Sequence, residues 1–280
     1  QGSMRFGARH GRSCLIGESC YLDVQDTSAG EFSEDPMEVL ERWSSFREWA
    51  RSQDLAEGLP YQDRDLTCPV PAPGQIFAIG LNYRDHAVES SMEIPDNPMV
   101  FTKYPSSLTG PRGDIHLVPG SCDWEVEMVA VIGERARNVS EDDASQVIAG
   151  LTVGQDVSER ELQLQGTNPQ FNLGKSHRTF APLGPCVVTL DEFDNPWDLG
   201  IRCELNNVVV QEARTSQLLN GVPALVSYLS GVCELRPGDL VFTGTPSGVG
   251  LGRTPPQYLD AGDVLVSTID GIGSLVNQCV

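Results

Sequence analysis

The segment Asp123-Trp124-Glu125-Val126-Glu127 runs straight into the apolar Met128-Val129-Ala130-Val131-Ile132. The apolar tail predicts a buried strand, and strand alternation sends Glu125 and Glu127 to one face, with Trp124, Val126 and Met128 on the other. Two neighbouring carboxylates at the mouth of a buried strand repel each other and are costly to desolvate, and a bound divalent cation resolves both problems. A third acid, Asp156, ends a second apolar run, Ile148 to Gln155. Three carboxylates with no obvious His or Cys partner describe a hard-cation site, for Mg²⁺ or Mn²⁺ rather than Zn²⁺. The plain alternative is an edge strand with a solvated acidic face.

Three further segments carry chemistry. In Gly80-Leu81-Asn82-Tyr83-Arg84-Asp85-His86-Ala87-Val88-Glu89, His86 and Glu89 are three apart on a predicted helix and share a face. Glu89 can hold the imidazole and raise its basicity, making His86 a general base; the alternative is a surface pair. In Phe171-Asn172-Leu173-Gly174-Lys175-Ser176-His177-Arg178, Lys175 follows a Gly in an apolar setting. Its ammonium either meets developing enolate charge or pairs structurally with a carboxylate. The Gly-rich loop Gly244-Thr245-Pro246-Ser247-Gly248-Val249-Gly250 lacks the Gly-Lys-Ser/Thr ending of a nucleotide-binding loop. Its amides and the Thr245 hydroxyl can hold a small carboxylate, unless it is only a tight turn.

The elements that position these residues are mostly strands. Residues 4 to about 30 read as short strands. A helix then opens at Asp35-Pro36, with Asp35 as N-cap, Pro36 at N1 and Glu38 at N3. Its stripe of Met37, Leu40, Trp43, Phe46 and Ala50 makes a core face. A polar, Pro-rich passage (60–73) leads to the buried strand Gln75 to Gly80, which places a small N-terminal domain at 4–72 and a catalytic domain at 73–280. Short helices are expected over Asn82–Ser90, over Glu141–Ala149 (capped by Ser140, with Gly150 past its end) and over Pro223–Ser230. Strands are expected at Val187–Leu190, Asp239–Thr243 and Asp263–Ile269, with a hairpin Ile201–Leu205 to Val208–Glu212 around Asn206-Asn207. The segment from Arg84 to about Pro98 has few apolar anchors and is expected to be a mobile lid.

Composition sets the frame. A chain of 280 residues with 40% hydrophobic and 21% charged residues can bury a full core. Its net charge of −20 argues against nucleic acid and anionic membranes as partners. It leaves an anionic small molecule open, because a bound cation and a few Lys or Arg invert the local field. No apolar run is long enough to span a bilayer. Eight cysteines without a CxxC pair read as reduced thiols, none of them catalytic. Gln1-Gly2-Ser3 before Met4 reads as an expression remnant ahead of a native start, and a cytoplasmic location is expected.

Five motifs occur in order: Gly80 to His86, Asp123 to Glu127, Gln155-Asp156-Val157-Ser158 with Arg160, Gly174-Lys175-Ser176, and Gly244 to Gly250. Together, over residues 76–280, they resemble the fumarylacetoacetate hydrolase family, in its short acylpyruvase and 2-hydroxyhepta-2,4-diene-1,7-dioate isomerase branch. The resemblance implies a mostly β (α+β) fold, a mixed β-roll with minor helices, and a homodimer. It implies Mg²⁺ or Mn²⁺ held by Glu125, Glu127 and Asp156, a His86–Glu89 dyad on a lid, and functional roles for Lys175 and Thr245. Tyr83, Arg178, Gly244 and Thr245 are expected to contact a small keto-acid substrate. The implied reaction is hydrolysis of a C–C bond in a 2,4-dioxo acid through a metal-stabilised pyruvate enolate. Alternatives are decarboxylation or isomerisation of a related oxaloacetate-type or oxo-diene diacid, or a metal-binding relative without turnover. Three positions depart from the family pattern: Gln155 replaces Asn, Glu159 replaces Ala, and His177-Arg178 replaces Phe-Asp. The last adds positive charge, so Arg178 is expected either to grip the far carboxylate of a fumaryl- or succinyl-type substrate or to point outward toward surface acids.

Overall fold

A computed structural model describes residues 4–280, so Gln1-Gly2-Ser3 lies outside the described residues. The apolar run after Glu125 forms the strand Val126–Ile132, buried along its whole length. Both of its edges are paired, by Ile148–Gln155 and by Leu240–Phe242, each antiparallel. A strand covered on both faces tolerates no alternation, which is why its sequence is continuously apolar from Met128 onward, Glu127 being the one charged residue in it. From this centre the sheet extends one way through Ala181–Val188 and Arg5–Arg9, and the other way through the parallel Ile76–Gly80 to the edge strand Met99–Thr102. A second, four-stranded sheet has the order Val208–Arg214, Gly200–Leu205, Val264–Ile269, Gly273–Gln278. Its Ile201, Leu265 and Leu275 share one core with Val126, Met128 and Val153. Helices are short and few, so the molecule is the mostly β, α+β structure expected.

Residues before 72 extend the same sheet. Phe6 pairs with Val187, and its ring meets Trp43 and Phe46 edge-on at 5.6 and 5.4 Å. These side chains share a core with Val129, Val131 and Phe242 of the central strands, so the Pro-rich passage at 60–73 does not interrupt sheet or core.

Local signals and tertiary pairing disagree in several places. The single helix expected from Asp35 is two, Pro36–Glu41 and Trp43–Ala50, broken at Arg42 (φ −117°, ψ 31°). Its cap is formed as expected, with Asp35 accepting the Met37 amide at 2.9 Å. The helix expected over Glu141–Ala149 is only a 3-10 turn, Ala144–Val147, before the strand that begins at Ile148. The Ser140 cap contact forms, but the apolar residues beyond it are claimed by the ladder with Val126–Ile132. Gly150 is therefore no helix stop: a Cβ there would lie 2.3 Å from the Val188 carbonyl oxygen, so it permits close strand approach. The strand expected at Val187 starts at Ala181, masked in sequence by Pro182, Gly184 and Pro185. The Asn206-Asn207 hairpin has both residues at positive φ, 51° and 66°, as a tight primed turn requires. All eight cysteines are free thiols.

Candidate active site

Glu125, Glu127 and Asp156 converge, each offering an oxygen within 4.8 Å of the others, and all three are buried. The strand end that carries them is fixed by side chains where the ladder gives out. Gln155 accepts the Glu125 amide at 2.9 Å, and Gln211 accepts the Val126 amide at 3.0 Å. The Asp156 amide donates to the Glu125 carbonyl at 2.9 Å, which carries the turn out of one strand back onto the other. Gln155, unusual for the family pattern, thus has a clear local task, and its own amide is held by Ser267 at 3.0 Å.

Three buried cations meet these acids. Lys175 Nζ donates to Glu125 Oε2 (3.0 Å), Asp156 Oδ2 (2.7 Å) and Ser158 Oγ (2.8 Å). It reaches them because Gly174 lies flat against the helix Arg160–Gln163, where a Cβ would sit 2.5 Å from the Gln163 nitrogen. Lys103, on no expected list of site residues, donates to Asp156 Oδ1 at 2.7 Å and to the Lys175 carbonyl. Arg160 joins Glu125 (2.9 Å) to Asp123 (2.9 Å), so the Asp of the opening motif acts through it. Glu159, the other departure nearby, caps that helix by accepting the Glu161 and Leu162 amides.

The charges do not balance. Asp123, Glu125, Glu127 and Asp156 are four carboxylates; Lys103, Lys175 and Arg160 are three cations. Burial raises the Glu125 carboxyl, but Lys175 and Arg160 more than offset it and hold it well below the usual range. Glu127 has no cation and accepts only the Gly244 amide, at 3.0 Å, among the described residues. Burial, then Asp156 and Glu125, push its carboxyl well above the usual range. Burial lowers Lys175, yet Asp156 and Glu125 raise it on balance; burial prevails for Lys103, which is lowered. An all-oxygen donor set with one unmatched carboxylate fits a hard divalent cation.

Above this centre, the helix Arg84–Glu89 holds the expected dyad: His86 Nδ1 lies 2.8 Å from Glu89 Oε1. The other carboxylate oxygen of Glu89 accepts the Gly248 amide at 2.9 Å, fastening the helix to the Gly-rich loop. His86, Glu125, Arg160, Lys175 and Thr245 line one pocket that is partly open to solvent. Ser91–Pro98 beyond the helix has no regular structure.

The remaining expected contacts are placed differently. The Thr245 hydroxyl donates to the Val126 carbonyl at 2.8 Å and accepts from Gln211, so its proton is already used. The loop amides do bind carboxylates, but the protein's own: Gly244 that of Glu127, Gly248 that of Glu89, Gly250 and Leu251 that of Asp123. Tyr83 is buried, with a hydroxyl that has no protein partner among the described residues. Arg178 is exposed and outside the pocket lining, the outward placement that was the alternative to a grip on substrate. Its neighbour His177 packs edge-on against Phe180. Sequence reasoning missed Lys103 altogether and quoted Arg160 only within a motif; their partners are 53 and 37 residues away, and no local pattern announces them.

Comparison with known proteins places the chain in a family. The chain is 48% identical over 231 residues, 81% of this chain and 79% of the relative, to a 2,4-didehydro-3-deoxy-L-rhamnonate hydrolase of Sphingomonas sp. (strain SKA58). It is 42% identical over 217 residues, 77% of this chain and 68% of the relative, to the mitochondrial oxaloacetate tautomerase fahd2 of Xenopus laevis. That relative's compartment differs from the cytoplasmic one expected for this chain; no helix among the described residues is long and apolar enough to cross a membrane. A maleylpyruvate hydrolase of Sphingobium sp. SYK-6, solved with manganese(II) and pyruvate, superposes with a TM-score of 0.79 at 25% identity, over 99% of each chain. Residues 75–280 match the family model described as fumarylacetoacetate (FAA) hydrolase C-terminal, and the chain belongs to the fumarylacetoacetate hydrolase family.

Proposed function

We propose that this enzyme uses a divalent cation, Mg²⁺ or Mn²⁺, to hydrolyse a C–C bond of a 2,4-dioxo acid, releasing pyruvate. The observation that carries the reading is the His86–Glu89 dyad fastened over the Glu125, Glu127 and Asp156 carboxylates with Lys175 among them. The Sphingomonas relative supports it, since its named substrate is oxidised at carbons 2 and 4. The manganese(II) and pyruvate in the Sphingobium hydrolase support a cation and a pyruvate-like ligand.

A cation held by the three carboxylates supplies Lewis acidity at the 2-oxo end of the substrate. With Nδ1 turned to Glu89, His86 presents Nε2 as the base that takes a proton from water. The resulting hydroxide adds to carbon 4, the C3–C4 bond breaks, and its electron pair passes to an enolate at carbons 2 and 3. Lys175 stands beside that negative charge. The proton on His86 returns to carbon 3, giving pyruvate and a carboxylic acid. The homodimer belongs to the same proposal, and sedimentation as a monomer would remove it.

Tautomerisation of an oxaloacetate-type acid is a second reading, favoured by the Xenopus relative; there His86 moves a carbon-3 proton without water. The deciding experiment measures pyruvate release from a panel of acylpyruvates, and enol decay of oxaloacetate, before and after chelation and Mn²⁺ return. Full activity after exhaustive chelation, or no pyruvate from any acylpyruvate, would overturn the hydrolase reading.

A further inference from the structure

We infer that the far end of the substrate, the acyl group beyond carbon 4, carries no charge. This rests on the hydrolase reading above and narrows its substrate class. The apolar lining of the pocket includes Leu81, Met92, Phe101, Leu164, Phe171 and Leu251, with the Phe101 ring 5.0 Å from Lys175 Nζ. Outside the acid centre and the His86–Glu89 pair, its polar side chains, Ser90, Gln163 and Thr245, are neutral.

Among the described residues that line the pocket, neither Lys175 nor Arg160 is left for a second carboxylate, and His86 is paired with Glu89. All three hydrogens of Lys175 Nζ are engaged by Glu125, Asp156 and Ser158. Arg160 is matched by two carboxylates, Asp123 and Glu125, and its Nη1 also serves Gln163 at 2.9 Å. Its Nη2 lies 2.8 Å from Asp123 Oδ2 without an aligned hydrogen bond; that spare donor sits at the Glu125 end of the pocket, beside the carboxyl end of the substrate. Arg178 faces solvent. A terminal carboxylate would therefore lose its water against apolar walls with no ion pair in return. An aliphatic or hydroxylated acyl group meets no such obstacle.

The test uses Mn²⁺-loaded protein and two probes that cannot be hydrolysed. 2-Oxopentanoate and 2-oxoglutarate have equal chain length and differ only in a terminal methyl or carboxylate. Calorimetry should find the neutral probe bound at least about tenfold more tightly, the scale of one charged group left unpaired in a closed site. In a Leu164→Arg variant, which adds a cation to the apolar wall, 2-oxoglutarate should gain about tenfold and the preference should vanish. Equal or tighter binding of 2-oxoglutarate by the unaltered protein would overturn the inference, as would failure of both probes to bind at millimolar concentration. An unchanged preference in Leu164→Arg would overturn it too, because that wall would then not face the far end. Turnover separates the two proposals. If no acylpyruvate is cleaved, the hydrolase reading fails while the binding order still decides the charge of the far group.

Discussion

Replacing Glu127 by Gln removes the one carboxylate of the acid centre that no cation meets, and keeps an oxygen to accept the Gly244 amide. Burial, reinforced by Asp156 and Glu125, raises the Glu127 carboxyl in the folded protein. A carboxyl whose folded pKa lies above its unfolded value opposes folding once the pH exceeds the unfolded value, and the penalty fades as acid protonates it. Gln carries no such penalty. In chelator-treated protein near neutral pH, Glu127→Gln should therefore be more stable by about 1–3 kcal/mol, the cost of a buried charged group without a partner. Each kcal/mol corresponds to roughly 2–4 °C in Tm for a chain of this size. The advantage should shrink toward acid pH, where the unaltered protein protonates Glu127. Added Mn²⁺ should reverse the order, because a ligand that binds only the folded state stabilises by mass action and the variant lacks one of the three oxygens. Calorimetric melts across pH, with EDTA and with Mn²⁺, read both effects. A variant that melts below the unaltered protein in EDTA, or that gains as much from Mn²⁺, would refute the charge argument.

Three further outcomes follow from the geometry. His86→Ala should lower turnover by about 10²–10⁴-fold, the range for a lost general base, while Mn²⁺ affinity stays unchanged; equal rates would make His86 structural. Gly252→Ala places a Cβ 2.7 Å from Glu89 Oε2. It should weaken the charged hydrogen bond to Gly248, costing about 1.5–3 kcal/mol in the docking of the helix Arg84–Glu89 and at least about tenfold in turnover with little change in Tm; a normal rate would show that Glu89 shifts freely. Gly174→Ala drives a Cβ into the Gln163 backbone at 2.5 Å. A loss of about 1–3 kcal/mol in denaturant unfolding is expected, and an unchanged midpoint would show that the turn yields.

The parts of the site that were legible in sequence are those whose signal is local. Glu125 and Glu127 share a strand face, and His86 and Glu89 share a helix face, by the spacing of their own backbones. Asp156 marked itself by ending an apolar run. Lys103 has no such signal: it follows the edge strand Met99–Thr102, and sequence position says nothing of the acid it meets across the sheet. Arg178 misled for the converse reason. It lies three residues from Lys175, but the 3-10 turn Leu173–Lys175 ends at Ser176 (φ −125°, ψ 16°), and the Lys175 side chain is buried while Arg178 is exposed. The expected helix at 141–149 failed where a formed cap lost to strand pairing, a tertiary contact outweighing local propensity.

The Gly-rich loop shows how a correct chemical reading reaches a different partner. Consecutive amides freed by glycines bind carboxylates, as the sequence suggests. Here they bind Glu127, Glu89 and Asp123, three acids from two separate parts of the chain. Glu127 belongs to the acid centre, Glu89 holds the His86 ring, and Asp123 holds Arg160 against Glu125. One loop therefore supports both the carboxylates and the helix Arg84–Glu89, through its backbone amides and the Thr245 hydroxyl. A substitution that deforms the loop should disturb cation binding and base orientation together. A side-chain change at His86 should disturb only the second, and that contrast separates support of the site from participation in its chemistry.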